Sequence, residues 1–282
     1  MTLQEWLKEG EAQLRHGPHP DKARRDAEFL LLHMAGCERP AMLTKRDEML
    51  PAGEAIAYEA LLKRRAAGEP IQYILGKAEF YGLPFHVTPD VLIPRPETEH
   101  LVEKVVELLP LFSRPRVIDV GTGSGAIAIA LAHEGPSAAI TSIDVSRSAL
   151  ELARGNAALN GFADRIRFLQ GDLLGPVADE RFDIVASNPP YVPEGDRASL
   201  AVEVREHEPA VALFAGEDGL DVIRRLVAEA FAGLAPGGWL TMEFGYGQWP
   251  AVSELMSEGG FEPIEFVPDL QGIPRVAVGR RP

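Results

Sequence analysis

Residues 117–125 decide the fold, and they read Val-Ile-Asp-Val-Gly-Thr-Gly-Ser-Gly. The apolar first half predicts a short buried strand. The second half has glycine at alternate positions, which lets the backbone turn sharply and pass close to a ligand. A helix is expected from Ala126, and its first N–H groups are unpaired at this turn. Ala126 also stands where dinucleotide-binding loops tolerate alanine as their third glycine, so the loop alone does not identify its ligand.

Strands and helices alternate on both sides of this turn and onward to the end of the chain. Seven short apolar segments predict strands, at about 117–120, 140–143, 166–169, 182–187, 239–244, 261–267 and 275–278. The alternation predicts a mostly parallel, doubly wound α/β sheet. Open sheets of this kind bind ligands at the carboxyl ends of their strands, so the residues that follow each strand are candidates for a site.

The N-terminal part of the chain follows a different period. Residues 1–70 contain three amphipathic helical patterns, and Thr2 with Glu5 forms a capping box before the first. Residues 71–95 carry aromatic and β-branched residues between glycines, which predicts one or two strands in a β-hairpin. We therefore predict a small helical bundle over 1–70, a hairpin linker over 71–95 and an α/β domain over 96–282.

Acidic residues follow the second and third strands. Asp144, 19 residues after Gly125, can accept both ribose hydroxyls of a nucleoside. Asp172 can accept an adenine amino proton, and Leu173 can pack on the base. Together with Asp119, which can orient the glycine loop, these carboxylates suit a nucleoside that carries a cation and no phosphate. S-adenosylmethionine fits this description because it combines adenosine, a sulfonium and an amino acid.

The fourth strand ends at Asn188-Pro189-Pro190-Tyr191. Neither proline has an N–H to donate, and each fixes its own φ near −65°. The resulting stiff loop presents one carboxamide, free carbonyls and an aromatic ring, which together can hold a planar N–H₂ group. An ordinary proline-terminated strand is the other interpretation of this motif taken alone.

Arg95 and Glu97 lie where they could face a bound ligand, although an acidic residue in the first turn of a helix also suits the helix dipole. No spacing of histidines or carboxylates indicates a metal. The predicted catalytic residues are Asn188, Pro189, Pro190 and Tyr191. The predicted cofactor-binding residues are Gly121, Thr122, Gly123, Ser124, Gly125, Asp144, Asp172, Leu173, Asn188, Arg95 and Glu97.

Composition narrows the function classes. The chain has 282 residues, a formal net charge of −14 and a single cysteine, Cys37. A nucleic-acid-binding protein usually carries a basic patch, so the acidic balance favours a protein or small-molecule substrate. One cysteine permits no intrachain disulfide, and the first residues show no secretory signal. We therefore expect a cytoplasmic location.

The glycine loop, the strand-end acids and the Asn-Pro-Pro-Tyr loop resemble the motifs of class I S-adenosylmethionine-dependent methyltransferases. That loop is shared by enzymes that methylate planar amino groups. A more specific resemblance, to the HemK/PrmC family, covers nearly the whole chain and is strong from residue 69. It rests on the segments 69–76, 80–82, 93–99, 207–209, 216–220, 243–245 and 269–275. Leu173 departs from it, because some members have an aromatic residue against the adenine.

The resemblance implies a Rossmann-like fold with a seven-stranded sheet, and a glutamine N5-methyltransferase activity. The substrate would be the Gly-Gly-Gln glutamine of peptide chain release factors, with S-adenosylhomocysteine as the second product. The helical bundle would be the docking domain, and neither nucleic acid nor a membrane would be a partner. A DNA or RNA amino-methyltransferase of the N6-adenine type shares the Asn-Pro-Pro-Tyr loop and is the alternative. The acidic charge and the absence of a basic recognition domain argue against it.

Overall fold

The computed structural model describes the backbone of residues 1–282 and all side chains except those of Ala41 and Leu43. The chain forms two compact units, and each is made of two separate segments. The first unit comprises Met1–Gly76 and Leu200–His207. The second comprises Lys77–Ser199 and Glu208–Pro282. None of the described helices is long and apolar enough to cross a membrane.

The first unit is all-helical around its own apolar core. The core is built on residues that recur at helical spacing, with Leu30, Leu31, Tyr58 and Leu62 fully buried. The Thr2–Glu5 capping box is confirmed, since both of its reciprocal hydrogen bonds are present. The helices are α1 (Leu3–Leu14), α2 (Ala23–Met34), α3 (Arg39–Lys45), α4 (Ala52–Ala66), α5 (Ile71–Leu75) and α9 (Val202–His207).

Three of these helices differ from the sequence-based prediction. The pattern over 1–70 indicated three helices and missed α3, whose seven residues are too few to show a period. The prediction of strand for residues 73–75 is wrong, because they lie in α5, which ends at Gly76 with φ +67°. Helix α9 lies far along the chain from the predicted bundle over 1–70, within residues predicted to belong to the α/β domain.

Buried ion pairs tie α9 into the first unit. The Arg65 side chain is 2% exposed and contacts Asp26 Oδ2 at 2.8 Å and Glu203 Oε1 at 2.5 Å. His19 Nε2 lies 3.0 Å from the same Glu203 oxygen. Burial lowers the pKa of His19, against the attraction of Glu203, which raises it. Residues 200–207 are therefore held by specific charged partners rather than lying free in solvent.

The second unit is a seven-stranded sheet with helices on both faces and a separate hairpin, as the sequence predicts. The sheet order is β5-β4-β3-β6-β7-β9-β8, parallel except where β9 runs against β7 and β8. The strands are β1 (Lys77–Phe80), β2 (Leu83–His86), β3 (Arg116–Val120), β4 (Ala139–Asp144), β5 (Ile166–Gln170), β6 (Phe182–Ser187), β7 (Leu234–Glu243), β8 (Ile264–Pro268) and β9 (Pro274–Arg280). The helices are α6 (Glu99–Leu108), α7 (Ala126–Glu134), α8 (Arg147–Leu159), α10 (Asp221–Gly233) and α11 (Trp249–Glu258).

The strand order reverses between β3 and β6. Consecutive strands β4 and β5 extend the sheet on one side of β3, and β6 begins the other side. A reversal of this kind leaves a crevice at the carboxyl ends of the two central strands. Val120 pairs with Ser187, so the glycine loop and Asn188 leave the sheet side by side.

Candidate active site

A cavity of about 350 Å³ opens at the carboxyl ends of β3, β4, β5 and β6, within the second unit. Its volume is in the range of small-molecule sites. Most of the predicted residues line it: Arg95, Gly121, Thr122, Gly123, Ser124, Asp144, Asp172, Leu173, Asn188, Pro189 and Pro190. Gly125, Glu97 and Tyr191 are not among the lining residues, and their positions are described below.

A buried network holds the glycine loop. Thr122 Oγ1 donates to Asp119 Oδ2 at 2.6 Å, and the Ser142 hydroxyl lies 3.2 Å from the same oxygen. Burial raises the pKa of Asp119 to about 6, against these hydroxyl bonds, which lower it. Gly125 adopts φ +85°, and a Cβ there would come 3.1 Å from the Ile129 side chain. Gly125 therefore shapes the turn rather than lining the cavity.

Asp144 joins the end of β4 to the glycine loop. Its Oδ2 accepts the Gly123 N–H at 2.8 Å, and its Oδ1 accepts the Ser146 N–H at 2.8 Å. An ionised carboxylate has about four acceptor sites, so each oxygen retains capacity for a ligand hydroxyl. Burial raises the pKa of Asp144, and the backbone N–H groups lower it.

Asp172 and Leu173 lie at the end of β5. Asp172 Oδ2 pairs with Arg225 at 2.5 Å, so a bound nucleoside would share this carboxylate with the arginine. Leu173 is buried and adopts φ +47°. This conformation is rare for a branched side chain and costs on the order of 1–3 kcal/mol. Such strain is typical of ligand sites.

A buried series of side-chain hydrogen bonds anchors the Asn188 loop. Asn188 Nδ2 donates to Thr98 Oγ1 at 3.0 Å, and Thr98 Oγ1 donates to Glu243 Oε2 at 2.6 Å. Tyr191 Oη donates to Glu243 Oε1 at 3.1 Å. Burial raises the pKa of Tyr191, as does the neighbouring Glu243. The Tyr191 hydroxyl thus serves to fix the loop.

Arg95 and Glu97 have different surroundings. Arg95 lines the cavity, and its guanidinium pairs with the buried Glu208 carboxylate at 2.6 Å. Glu97 is exposed, while Thr98 next to it is buried and lines the cavity. At this turn the residue that reaches the site is therefore Thr98.

Sequence reasoning assigned no role to Thr98, Glu243 or Asn156. Glu243 ends an apolar strand, which is the same signal that singled out Asp144 and Asp172. Asn156 is fully buried in α8; its Nδ2 donates to Ser124 O and to His86 O, both at 2.9 Å, and so ties the hairpin to the glycine loop. The signal for Asn156 in the sequence is a polar residue on the otherwise apolar face of a helix.

The donor set suits a nucleoside that carries no phosphate. Strand-end carboxylates, the glycine loop, a carboxamide and two prolines line one cavity. No group of His, Cys, Asp and Glu among the described side chains could hold a metal ion. The strand order and this distribution of acceptors define a class I S-adenosylmethionine-dependent methyltransferase.

Known proteins agree with this class. A model of the PrmC N-terminal domain matches residues 5–76, and a model of the methyltransferase small domain matches residues 97–207. A release factor glutamine methyltransferase from Koribacter versatilis is 46% identical over 92% of this chain and 91% of that protein. One from Deinococcus radiodurans is 42% identical over 100% of this chain and 99% of that protein. The chain belongs to the release factor glutamine methyltransferase family.

Solved structures share the fold. The Thermus thermophilus 16S rRNA N2 G1207 methyltransferase, in complex with AdoMet and guanosine, superposes with a TM-score of 0.54. It is 22% identical and covers 73% of this chain and 50% of that chain. At this identity the likeness supports the fold and leaves the substrate to be argued from the site.

Proposed function

We propose that this chain methylates the side-chain amide nitrogen of the glutamine in the Gly-Gly-Gln motif of peptide chain release factors. The observation that carries the proposal is the Asn188 loop. Asn188 lines the cavity and gives its N–H₂ to Thr98, which leaves its amide oxygen as an acceptor for substrate. Pro189 cannot donate, and its carbonyl is a second acceptor beside it.

Two acceptors suit a primary amide. An amide nitrogen is a poor nucleophile because its lone pair is delocalised into the carbonyl. Asn188 Oδ1 and the Pro189 carbonyl can each accept one N–H of that amide, which fixes the nitrogen and favours its pyramidal form. Positioning of this kind reaches effective molarities of ~10⁵ M or more. No general base is required, because the nitrogen becomes acidic once it is alkylated.

The methyl donor would be held by the strand-end acids and the glycine loop of the same cavity. Asp144 would accept the ribose hydroxyls, and Asp172 with Leu173 would contact the adenine. The glycine loop would follow the amino acid part. When bound, S-adenosylmethionine supplies a methyl group activated by the sulfonium charge and leaves as S-adenosylhomocysteine.

The first unit is proposed as the docking module for the release factor. It has its own apolar core, and its first segment contains the match to the PrmC N-terminal domain. The net charge of −14 disfavours a nucleic acid backbone as the partner. A translation factor as substrate is in keeping with a cytoplasmic enzyme.

Mass spectrometry tests the proposal directly. The enzyme is incubated with S-adenosylmethionine and a purified release factor, and with the same factor carrying Gly-Gly-Ala as the matched control. A gain of one methyl group on the Gly-Gly-Gln peptide alone is the expected result. Methylation of both factors would place the target elsewhere in the protein. Transfer to DNA or RNA oligonucleotides, with none to the release factor, would establish the alternative.

A further inference from the structure

A buried carboxylate at the end of β7 organises the Asn188 loop. Glu243 is 2% exposed, and each of its oxygens faces one hydroxyl, Thr98 on Oε2 and Tyr191 on Oε1. An ionised carboxylate only accepts hydrogen bonds, so both hydroxyls must donate to it. The direction of both bonds is thereby fixed.

This direction determines how the Asn188 amide is turned. A threonine hydroxyl has a single hydrogen, and Thr98 gives it to Glu243. Thr98 Oγ1 can then only accept from Asn188, so the N–H₂ of Asn188 must face it, as the 3.0 Å Nδ2–Oγ1 distance shows. The amide oxygen of Asn188 is consequently left for the cavity.

We propose that Glu243 and Thr98 are positioning residues that select the amide orientation in which Asn188 offers its oxygen to the substrate nitrogen. The inference rests on the proposed function, because a planar amino substrate is what requires an acceptor at this point. In the reversed orientation Asn188 would present N–H₂ to an N–H donor. That contact is repulsive and turns the substrate nitrogen away from the methyl donor.

Protonation of Glu243 should disturb the selection. Burial raises the pKa of Glu243, and the Thr98 and Tyr191 hydroxyls lower it. Glu97 raises this pKa further and Arg275 lowers it. A protonated Glu243 can donate to a hydroxyl, which releases Thr98 to donate to Asn188. The turnover number should therefore fall as the pH falls, beginning above the range of an ordinary glutamate.

Three substitutions distinguish the direction of the Thr98 hydrogen bond from the packing of the Thr98 side chain. Thr98→Val keeps the shape and removes the acceptor for Asn188. Glu243→Gln places an N–H₂ against either Thr98 or Tyr191, and it reverses the Thr98 bond only in the first of these two orientations. Thr98→Val should lower kcat about 10- to 100-fold, the scale of a misplaced reacting group, with little change in cofactor affinity. Glu243→Gln should lower kcat by no more than Thr98→Val does, because its amide oxygen can still accept from Thr98. Thr98→Ser retains the hydroxyl and should restore most of kcat.

The measurements are kcat and KM on a release factor, cofactor affinity by calorimetry, and the dependence of kcat on pH. The fall of kcat at low pH that we attribute to protonation of Glu243 should be absent in Glu243→Gln. Hydrogen exchange of the Asn188 side-chain amide adds a readout that needs no substrate, and it should be slow in wild type and fast in Thr98→Val. Wild-type kcat in Thr98→Val, or equal losses in Thr98→Val and Thr98→Ser, would overturn the proposal. If wild type leaves release factor unmodified, the proposed function fails, and the exchange rates still decide the orientation of Asn188.

Discussion

Asn188 lines the cavity and is the polar residue nearest to the proposed chemistry. Asn188→Ala removes the side-chain acceptor while the glycine loop and Asp144 remain. We expect methylation to fall by about 100-fold or more, the scale of removing one aligned transition-state partner. Cofactor affinity should stay within a few-fold, because the alanine leaves the nucleoside contacts intact. Calorimetry that showed lost cofactor affinity with normal turnover at saturation would assign Asn188 to cofactor binding.

Asp144 leads to a prediction for the pH dependence of cofactor affinity. Burial raises the pKa of Asp144, so this carboxylate gains a proton at a higher pH than an ordinary aspartate. Its ionised form is the one that accepts ribose hydroxyls. Cofactor affinity should therefore be complete above this raised pKa and decline as the pH falls through it. Asp144→Asn should weaken binding by about 1.5–3 kcal/mol, the worth of a hydrogen bond to a charged group, and should flatten that decline. An equally steep decline in the variant would assign the titration to Asp119.

At the scale of elements, the glycine loop offers a matched pair of substitutions. Gly125 has φ +85°, and an added Cβ would lie 3.1 Å from Ile129 and 3.2 Å from Ala153. Gly123 has φ +54°, and an added Cβ would meet no described atom within 4 Å. Both alanine variants incur the left-handed cost of about 1–2 kcal/mol, but only Gly125→Ala adds the roughly 1–3 kcal/mol of overpacking. Chemical denaturation should rank Gly125→Ala as the less stable, and an equal loss in both would contradict the packing argument.

The elements that sequence predicts best are those with a local signal. The seven strands and the capping box of α1 follow from periodicity and from fixed residue spacings. Helix α5 does not, because its apolar residues favour a strand, whereas in the structure Ile71, Tyr73 and Ile74 are buried on a short helix that ends at Gly76. Helix α9 is short and charged, and its place depends on Arg65, which is about 140 positions away in the chain.

The residues of the candidate site likewise divide into those with a local sequence signal and those without one. Asp144 and Asn188 follow strands directly, so the sheet topology alone brings them together. The partnership of Thr98 with Glu243 joins two segments 145 positions apart, and no local pattern encodes it. Glu97 shows the limit of predicting site residues from sequence. On this helical turn Glu97 is exposed, while the next residue, Thr98, is buried and lines the cavity.

At the scale of the whole molecule, Arg65 joins two distant segments of one unit. Arg65→Met leaves the carboxylates of Asp26 and Glu203 without this partner, and breaking a buried pair costs about 3–5 kcal/mol. Arg64→Met is the control, because Arg64 pairs with Glu69 at the surface, where an ion pair contributes about 0–1 kcal/mol. The free energy of unfolding and the rate of proteolysis within residues 200–207 should both respond to Arg65→Met alone. Equal effects of the two variants would mean that the ion pairs of Arg65 with Asp26 and Glu203 do not specifically stabilise the position of α9.

The split first unit also affects how the protein matures on the ribosome. Its last segment ends at His207, 131 positions after Gly76. At ~5–20 residues per second, synthesis of that interval takes on the order of ten seconds. Strands β3 to β6 are all made within it, so the nascent helical bundle waits for its sixth helix while the cofactor-binding half of the sheet emerges. The part of the enzyme proposed to recognise the release factor is thus completed only after the Asn188 loop has been translated, although its larger segment precedes the sheet in the chain.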